Sequence, residues 1–192
     1  MVTRSASAVQ WAQSFIAPAL VPGCLAVDAT AGNGQDTLFL AQGVGPQGKV
    51  YAFDIQMEAL EKTRQQLAGA GLLDRVILVA ADHREMAAHV PDHVRAVMFN
   101  LGYLPGGDHR IITRPESTLE ALKAALSLLA SGGRVSLVIY TGHPGATEEL
   151  RVLEEFTRAL PPRYYTVIRL SFWNRSSKAP VVILLEKAGA EV

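Results

Sequence analysis

Five short, nearly continuous apolar runs recur along the chain: CLAVDAT (24–30), KVYAFDI (49–55), RVILVAA (75–81), VRAVMFNL (94–101) and GRVSLVIYT (133–141). A strand with one wet face alternates apolar and polar residues. Runs without that alternation belong to strands covered on both faces, as parallel strands are. The segments between them, roughly 35–42, 56–70, 84–89 and 115–130, have helical spacing. In the second, Leu60, Thr63, Arg64 and Leu67 fall at that spacing and Gly71 is a stop signal. The last opens with Pro115 at a first helical position and closes on Gly132-Gly133. This alternation predicts βαβ units and a parallel sheet. The end of the chain differs: after a helix over about 145–160, RYYTVIRLSFWN (163–174) and APVVILLEK (179–187) are joined only by RSSK. Four residues hold no crossover helix, so these two strands must pair antiparallel. The expected architecture is an α/β, seven-stranded, mostly parallel sheet with an antiparallel last strand and helices on both faces.

A chain of 192 residues reads as a single domain, 1–192, able to bury most of its unfolded surface without disulfides or metal. Residues 1–22 read as an N-terminal helix packed on it, with Val9, Ala12, Phe15, Ile16 and Leu20 on one face. Cys24 is alone in an apolar run, so neither a disulfide framework nor a cysteine zinc site can be built. No apolar run approaches the roughly 18 residues of a membrane span, and the N-terminus lacks a signal peptide's continuous apolar core. A cytoplasmic protein is expected. The 18 basic residues match the 18 acidic ones, which excludes a globally basic nucleic-acid footprint and leaves any RNA contact to local patches.

VDATAGNGQDT (27–37) puts a glycine pair directly after the first strand. Such a pair lets the backbone turn tightly and approach a ligand at a helix N-terminus. A dinucleotide loop wants G-x-G-x-x-G; here Thr37 holds the third glycine's place. Asp28 lies in the strand four residues before Gly32, where a carboxylate suits a cofactor bearing an ammonium group. Asp54 ends the second strand, 20 residues beyond Gly34, where an acid can accept both ribose hydroxyls.

DATAGNG resembles the D/E-x-G-x-G-x-G motif of class I S-adenosylmethionine (SAM) methyltransferases, with Thr30 in place of the first glycine. The resemblance implies SAM as cofactor and a Rossmann-like methyltransferase fold. AVDATAGNGQDTLFLA, YAFDIQ, NLGYLPGGDH, YTGHPGATEE and the final PVVILLEK occur in order over about residues 8–187. Together they are similar to one bacterial rRNA methylase family, whose characterised members are tRNA 5-aminomethyl-2-thiouridine methyltransferases. That resemblance implies a tRNA substrate and a homodimer. It places Asp28, Gly32, Asn33, Gly34, Asp36, Asp54, Gln56, Asp82, His83 and Asn100 at the cofactor. Asp36 can alternatively be read as a helix-start acid, and Asp82 with His83 as a loop cap.

NLGY (100–103) resembles the N-P-P-Y signature of amino-group methyltransferases. Methyl transfer to nitrogen is largely a matter of positioning an amine lone pair, which the Asn100 oxygen can aim while Tyr103 walls the pocket or stacks on a base. An alkylamine must first lose a proton; Asp108, His109 and His143 are candidate acceptors. Gly102, Tyr103, Leu104, Pro105, His109, Arg110 and Arg114 form the expected RNA-facing loop. In the last hairpin, Arg163, Arg169, Arg175 and Lys178 interleave with Tyr164, Tyr165, Phe172 and Trp173, as either a second RNA patch or core aromatics alternating with solvated cations. The leading reading is a SAM-dependent N-methyltransferase making methylaminomethyl-uridine at a tRNA wobble position. The alternatives are methylation of rRNA or a small amine, a catalytically silent SAM- or RNA-binding module and, outermost, a dinucleotide oxidoreductase.

Overall fold

A computed structural model describes residues 6–102, 114–142, 145–176 and 178–189. The described helices are α1 (Ala8–Ile16), α2 (Gln35–Gly43), α3 (Met57–Gly69), α4 (Met86–His89), α5 (Pro115–Leu128) and α6 (Ala146–Arg158). The strands are β1 (Leu25–Asp28), β2 (Lys49–Asp54), β3 (Val76–Ala80), β4 (Val94–Leu101), β5 (Leu129–Ile139), β6 (Tyr165–Leu170) and β7 (Val181–Lys187). They form one sheet of order β3-β2-β1-β4-β5-β7-β6. β1, β2, β3, β4 and β5 pair in parallel, and β7 runs antiparallel to both β5 and β6.

The continuity of the apolar runs has a direct structural cause. Successive strand residues point to opposite faces, and both faces are covered. Val27, Val97, Phe99, Val135, Leu137 and Ile139 enter a core shared with α4, α5 and α6. Their neighbours Ala26, Ala96, Met98 and Val138 enter a second core with α1, α2 and α3. Truncating a fully buried member such as Leu137 to Ala should cost about 2–5 kcal/mol.

Several details differ from the sequence expectation or add to it. α5 ends at Leu128, and Gly132-Gly133 lies inside β5 instead of terminating the helix. The β4–β5 register jumps between Val94 and Ala96, and Gly132 at φ +69° supplies the irregular backbone there. The 84–89 segment is a 3-10 turn, His83–Glu85, followed by the four-residue α4. Arg64 is solvent-exposed, while Ala59 joins Leu60, Thr63 and Leu67 on the buried face of α3. The hairpin strands are shorter than their apolar runs, and segment 171–180 connects them.

Two helix ends follow the expected chemistry. Ser7 and Gln10 cap α1 reciprocally. Beyond α3, Gly71 sits at φ +67°, its amide donating to Ala68 while Leu72 donates to Leu67, the paired bonds of a glycine C-cap. No described helix is long and apolar enough to cross a membrane.

Candidate functional site

The chain lays β1, β2 and β3 to one side and then returns β4 to the other side of β1. Open α/β sheets bind ligands at such a reversal, beyond the carboxyl ends of the strands. Asp28 closes β1, Asp54 closes β2 and Asn100 is the penultimate residue of β4, all on that rim.

The elbow between β1 and α2 is tied to its neighbours by backbone bonds. The Ala31 amide donates to Phe53 at 2.8 Å and the Gly34 amide to Ala31 at 2.7 Å. Gly34 caps α2 in the left-handed region, φ +81°. A Cβ there would lie 3.0 Å from the Thr63 Cα, so the position needs glycine for both conformation and space. Thr63 also donates its hydroxyl to the Gly32 carbonyl at 3.2 Å.

Three carboxylates surround this loop. Asp28 is 1% exposed and accepts from the Thr37 hydroxyl at 2.6 Å and the Thr30 amide at 3.1 Å. Asp36, on the first turn of α2, accepts from Gln13 of α1 at 2.9 Å and from the Asn100 side-chain amide at 3.3 Å. Asp54 accepts from the Gly32 amide at 3.0 Å and the Gln56 amide at 2.9 Å. Burial pushes Asp28 up to about 7, with the negative charge of Asp36 adding to it. Burial likewise raises Asp36 against the pull of its Gln13 and Asn100 bonds, and raises Asp54 against the Gln56, Gly32 and Ile55 amides and the charge of His83. Among the described residues no Lys or Arg pairs with any of the three. An anionic pyrophosphate would be repelled from this loop. A cofactor bearing an ammonium and a sulfonium fits it.

The edge beyond β3 is different. Asp82 caps the 3-10 turn by accepting from the Arg84 amide at 3.0 Å and accepts the Ser117 hydroxyl at 2.6 Å. Burial works against its charge, but the Arg84 amide, Ser117 and the nearby His83 and Arg84 bring its pKa below the usual carboxylate value. His83 lies between the Ala29 carbonyl (Nδ1, 3.2 Å) and Ser117 (Nε2, 3.2 Å), and burial lowers its pKa. It packs edge-on to Phe99 with ring centroids 5.9 Å apart.

At the carboxyl end of β4, the backbone amide of Asn100 donates to the Thr30 hydroxyl at 2.7 Å. The Asn100 side chain turns its NH₂ to Asp36, because an ionised carboxylate only accepts. Its Oδ1 is thereby left for a donor. The structure thus gathers Asp28, Gly32, Gly34, Asp36, Asp54, Gln56 and Asn100 around one loop, with exposed Asn33 on its outer side. Asp82 and His83 stand at its far edge, and Gly102 follows β4. Arg114, exposed, precedes α5. Tyr103, Leu104, Pro105, Asp108, His109, Arg110 and His143 lie outside the described residues.

Several partners were not foreseen from sequence. Gln13 in the sequence only interrupts the apolar residues of the N-terminus, yet its side-chain amide donates to Asp36 across 23 positions. Thr30, the departure from the glycine motif, uses its hydroxyl to lock β4 to the elbow. Ser117 joins Asp82 to His83, and Thr118 donates to Glu149 at 2.6 Å in the buried α5–α6 contact. Tyr140, beside Asp36, is raised in pKa by burial and then by that charge. No local motif marks any of these.

Strand order, elbow and rim acids together define a class I SAM-dependent methyltransferase. The chain belongs to the family described as "Putative rRNA methylase", whose profile matches residues 50–186. It is 44% identical over 175 residues to the Arabidopsis thaliana chloroplastic tRNA (mnm5s2U34)-methyltransferase, covering 86% of this chain and 64% of that protein. It therefore spans less than two thirds of that plant relative's length. A Clostridium thermocellum crystal structure of the same family description superposes with TM-score 0.93 at 40% identity, covering 96% of this chain and 100% of the other. SMU.1697c of Streptococcus mutans, solved in complex with SAH, gives TM-score 0.86 at 34% identity over 97% and 99% of the two chains.

Proposed function

We propose that this protein is an N-methyltransferase that uses SAM to convert the 5-aminomethyl group of a wobble (2-thio)uridine in tRNA to methylaminomethyl. The observation that carries the nitrogen acceptor is the Asn100 amide, whose NH₂ is held by Asp36 so that Oδ1 is left for an N–H donor. The tRNA substrate is supported by the similarity to the plant wobble-uridine enzyme, and SAM by the likeness to a structure holding SAH.

In this reading Asp54 and Gln56 hold the cofactor's ribose, Asp82 and His83 flank its adenine, and Asp28, Gly32, Asn33, Gly34 and Asp36 face its amino-acid end. SAM, when bound, supplies an electrophilic methyl group. Asn100 accepts from the substrate amine and aims its lone pair. The amine's pKa in water is about 10, so a proton must leave first; Asp108 and His143 are the acceptors this reading assigns. Tyr103 walls the acceptor pocket. Gly102, Leu104, Pro105, His109, Arg110 and Arg114 contact RNA. The reading includes a cytoplasmic homodimer.

The test is methyl transfer from labelled SAM to separated tRNA, rRNA and small-amine fractions, the RNA taken from cells lacking this gene. Label on a wobble aminomethyl-uridine, located by nucleoside mass analysis, is the expected result. Label confined to rRNA or a small amine would retain the cofactor and overturn the substrate.

A further inference from the structure

The β6–β7 connection stands on the same rim as the cofactor loops. Ile139, the last residue of β5, pairs with Val181, the first of β7, and Leu170 ends β6 opposite Val182. Segment 171–180 therefore leaves the sheet at the carboxyl end of the parallel strands, where Asp28, Asp54 and Asn100 lie. From β4 to β6 is three strand spacings, roughly 14 Å.

This segment has an unusual surface. Trp173 is 98% exposed, a full indole in water at the tip of a turn. Arg175 lays its guanidinium over Phe172, 4.1 Å from the ring centroid, and reaches the Ala6 carbonyl just before α1 at 3.5 Å. Lys178 follows, also exposed. From Tyr164 to Leu185 the sequence contains Arg169, Arg175 and Lys178 and no carboxylate; Arg169 is engaged by Glu154 of α6 at 2.6 Å. The chain as a whole is neutral, so this bias is local.

We propose that the exposed turn over 172–176, with Lys178 beyond it, is an RNA-docking surface, Trp173 stacking on an unpaired base while Arg175 and Lys178 meet backbone phosphates. A dry protein interface surrounds its aromatic anchor with apolar residues. Here the immediate neighbours of Trp173 on its far side are Asn174, Arg175 and Ser176, polar and cationic. Stacking planes beside cations are what single-stranded nucleic acid recognises. The surface rests on the tRNA reading above for its substrate: an RNA loop presenting one nucleotide to Asn100 would pass the hairpin with its flanking bases.

Trp173 supports no core, so its substitution leaves the fold intact. The experiment compares wild type, Trp173→Ala, Trp173→Phe and Arg175→Gln/Lys178→Gln in tRNA binding by fluorescence anisotropy, in KM for tRNA, and in SAM affinity. Trp173→Ala should weaken tRNA binding and raise KM about tenfold, with SAM affinity and kcat at saturating tRNA unchanged and Trp173→Phe restoring most of the loss. The double variant should flatten the salt dependence of binding, each phosphate contact contributing about 0.7 to the logarithmic slope. Unchanged tRNA binding in Trp173→Ala would overturn the docking surface while leaving the function standing. So would a change in its sedimentation, since the tryptophan would then join two copies of the chain. Trp173-dependent tRNA binding without methylation of tRNA would do the reverse: the docking surface would hold and the proposed reaction would fall.

Discussion

Asp82 and the trio Asp28, Asp36 and Asp54 occupy one rim, yet their electrostatics run in opposite directions. Asp82 has partners inside the protein: an amide, a hydroxyl, and the neighbouring His83 and Arg84 at 3.9 and 3.7 Å. Its charge is settled, and its pKa falls. The trio has amides and hydroxyls but, among the described residues, no Lys or Arg; the charge of His83 reaches only Asp54, and burial still raises all three. Holding unpaired carboxylates out of water is costly. The fold tolerates that cost where a cationic ligand is to arrive. The contrast separates a carboxylate whose charge the protein itself balances from carboxylates whose charge is left for a cationic ligand to balance.

The largest effect is expected at Asn100, where the trio meets the proposed acceptor. Asn100→Ala should lower kcat by about 10²-fold or more, the scale of losing a positioning contact at the reacting atoms. SAM affinity should change only a few-fold, because Asp28 and Asp54 keep their own partners. Turnover that survives this change would remove Asn100 from the acceptor site.

Asp54→Ala comes next. It strips the acceptor from the Gly32 and Gln56 amides and removes the carboxylate expected at the ribose. Leaving polar groups unpaired costs about 1–3 kcal/mol, so SAM affinity measured by calorimetry should fall roughly 10- to 100-fold. An affinity within threefold of wild type would make Asp54 a bracing residue only.

Asp28 provides the pH test. Its folded pKa of about 7 lies above the ordinary carboxylate value of 3.8. Folding therefore favours the protonated form, and that stabilisation is full below the ordinary value and is lost as pH rises through about 7. A cationic ligand favours the ionised form instead. SAM affinity should thus rise between pH 6 and 8, by at most about tenfold per unit below the pKa, with protons released on binding. Asp28→Asn should flatten the profile and raise the melting temperature of the free protein at pH 8. A flat profile in the wild type would show that the trio is not tuned to a cation.

Where sequence was legible follows from which constraints are local. Doubly covered strands must be apolar throughout, so the sheet could be read from five runs. A left-handed turn under α3 admits only glycine at position 34, so the elbow could be read from GNG. Asp54 was legible because a carboxylate closing an apolar strand requires a reason. The bonds of Gln13 to Asp36, Asn100 to Asp36 and Ser117 to both Asp82 and His83 join residues 23 to 64 positions apart. Nothing in their own neighbourhoods demands those residue types. The end of α5 was misplaced for a related reason: the Gly132-Gly133 pair serves a register shift against β4, a property of two strands and not of one segment.

The smallest effect is expected at the paired acid, and it is the most direct check on the contrast. Ser117 donates to Asp82 and contacts His83 Nε2. Ser117→Ala should cost about 1 kcal/mol, a fall in melting temperature of roughly 2–4 °C for a chain of this size. Asp82 has a lowered pKa, so the stability it contributes is present above the ordinary carboxylate value and is lost as pH falls through the folded one. The penalty of Ser117→Ala should therefore be visible at pH 7 and shrink at pH 3. SAM affinity should move less than threefold, because the hydroxyl's partners remain capped by the Arg84 amide and the Ala29 carbonyl. If the variant instead lost cofactor affinity and kept its melting temperature, the charge of Asp82 would also be left for the ligand to balance, and the division between the two kinds of acid would collapse.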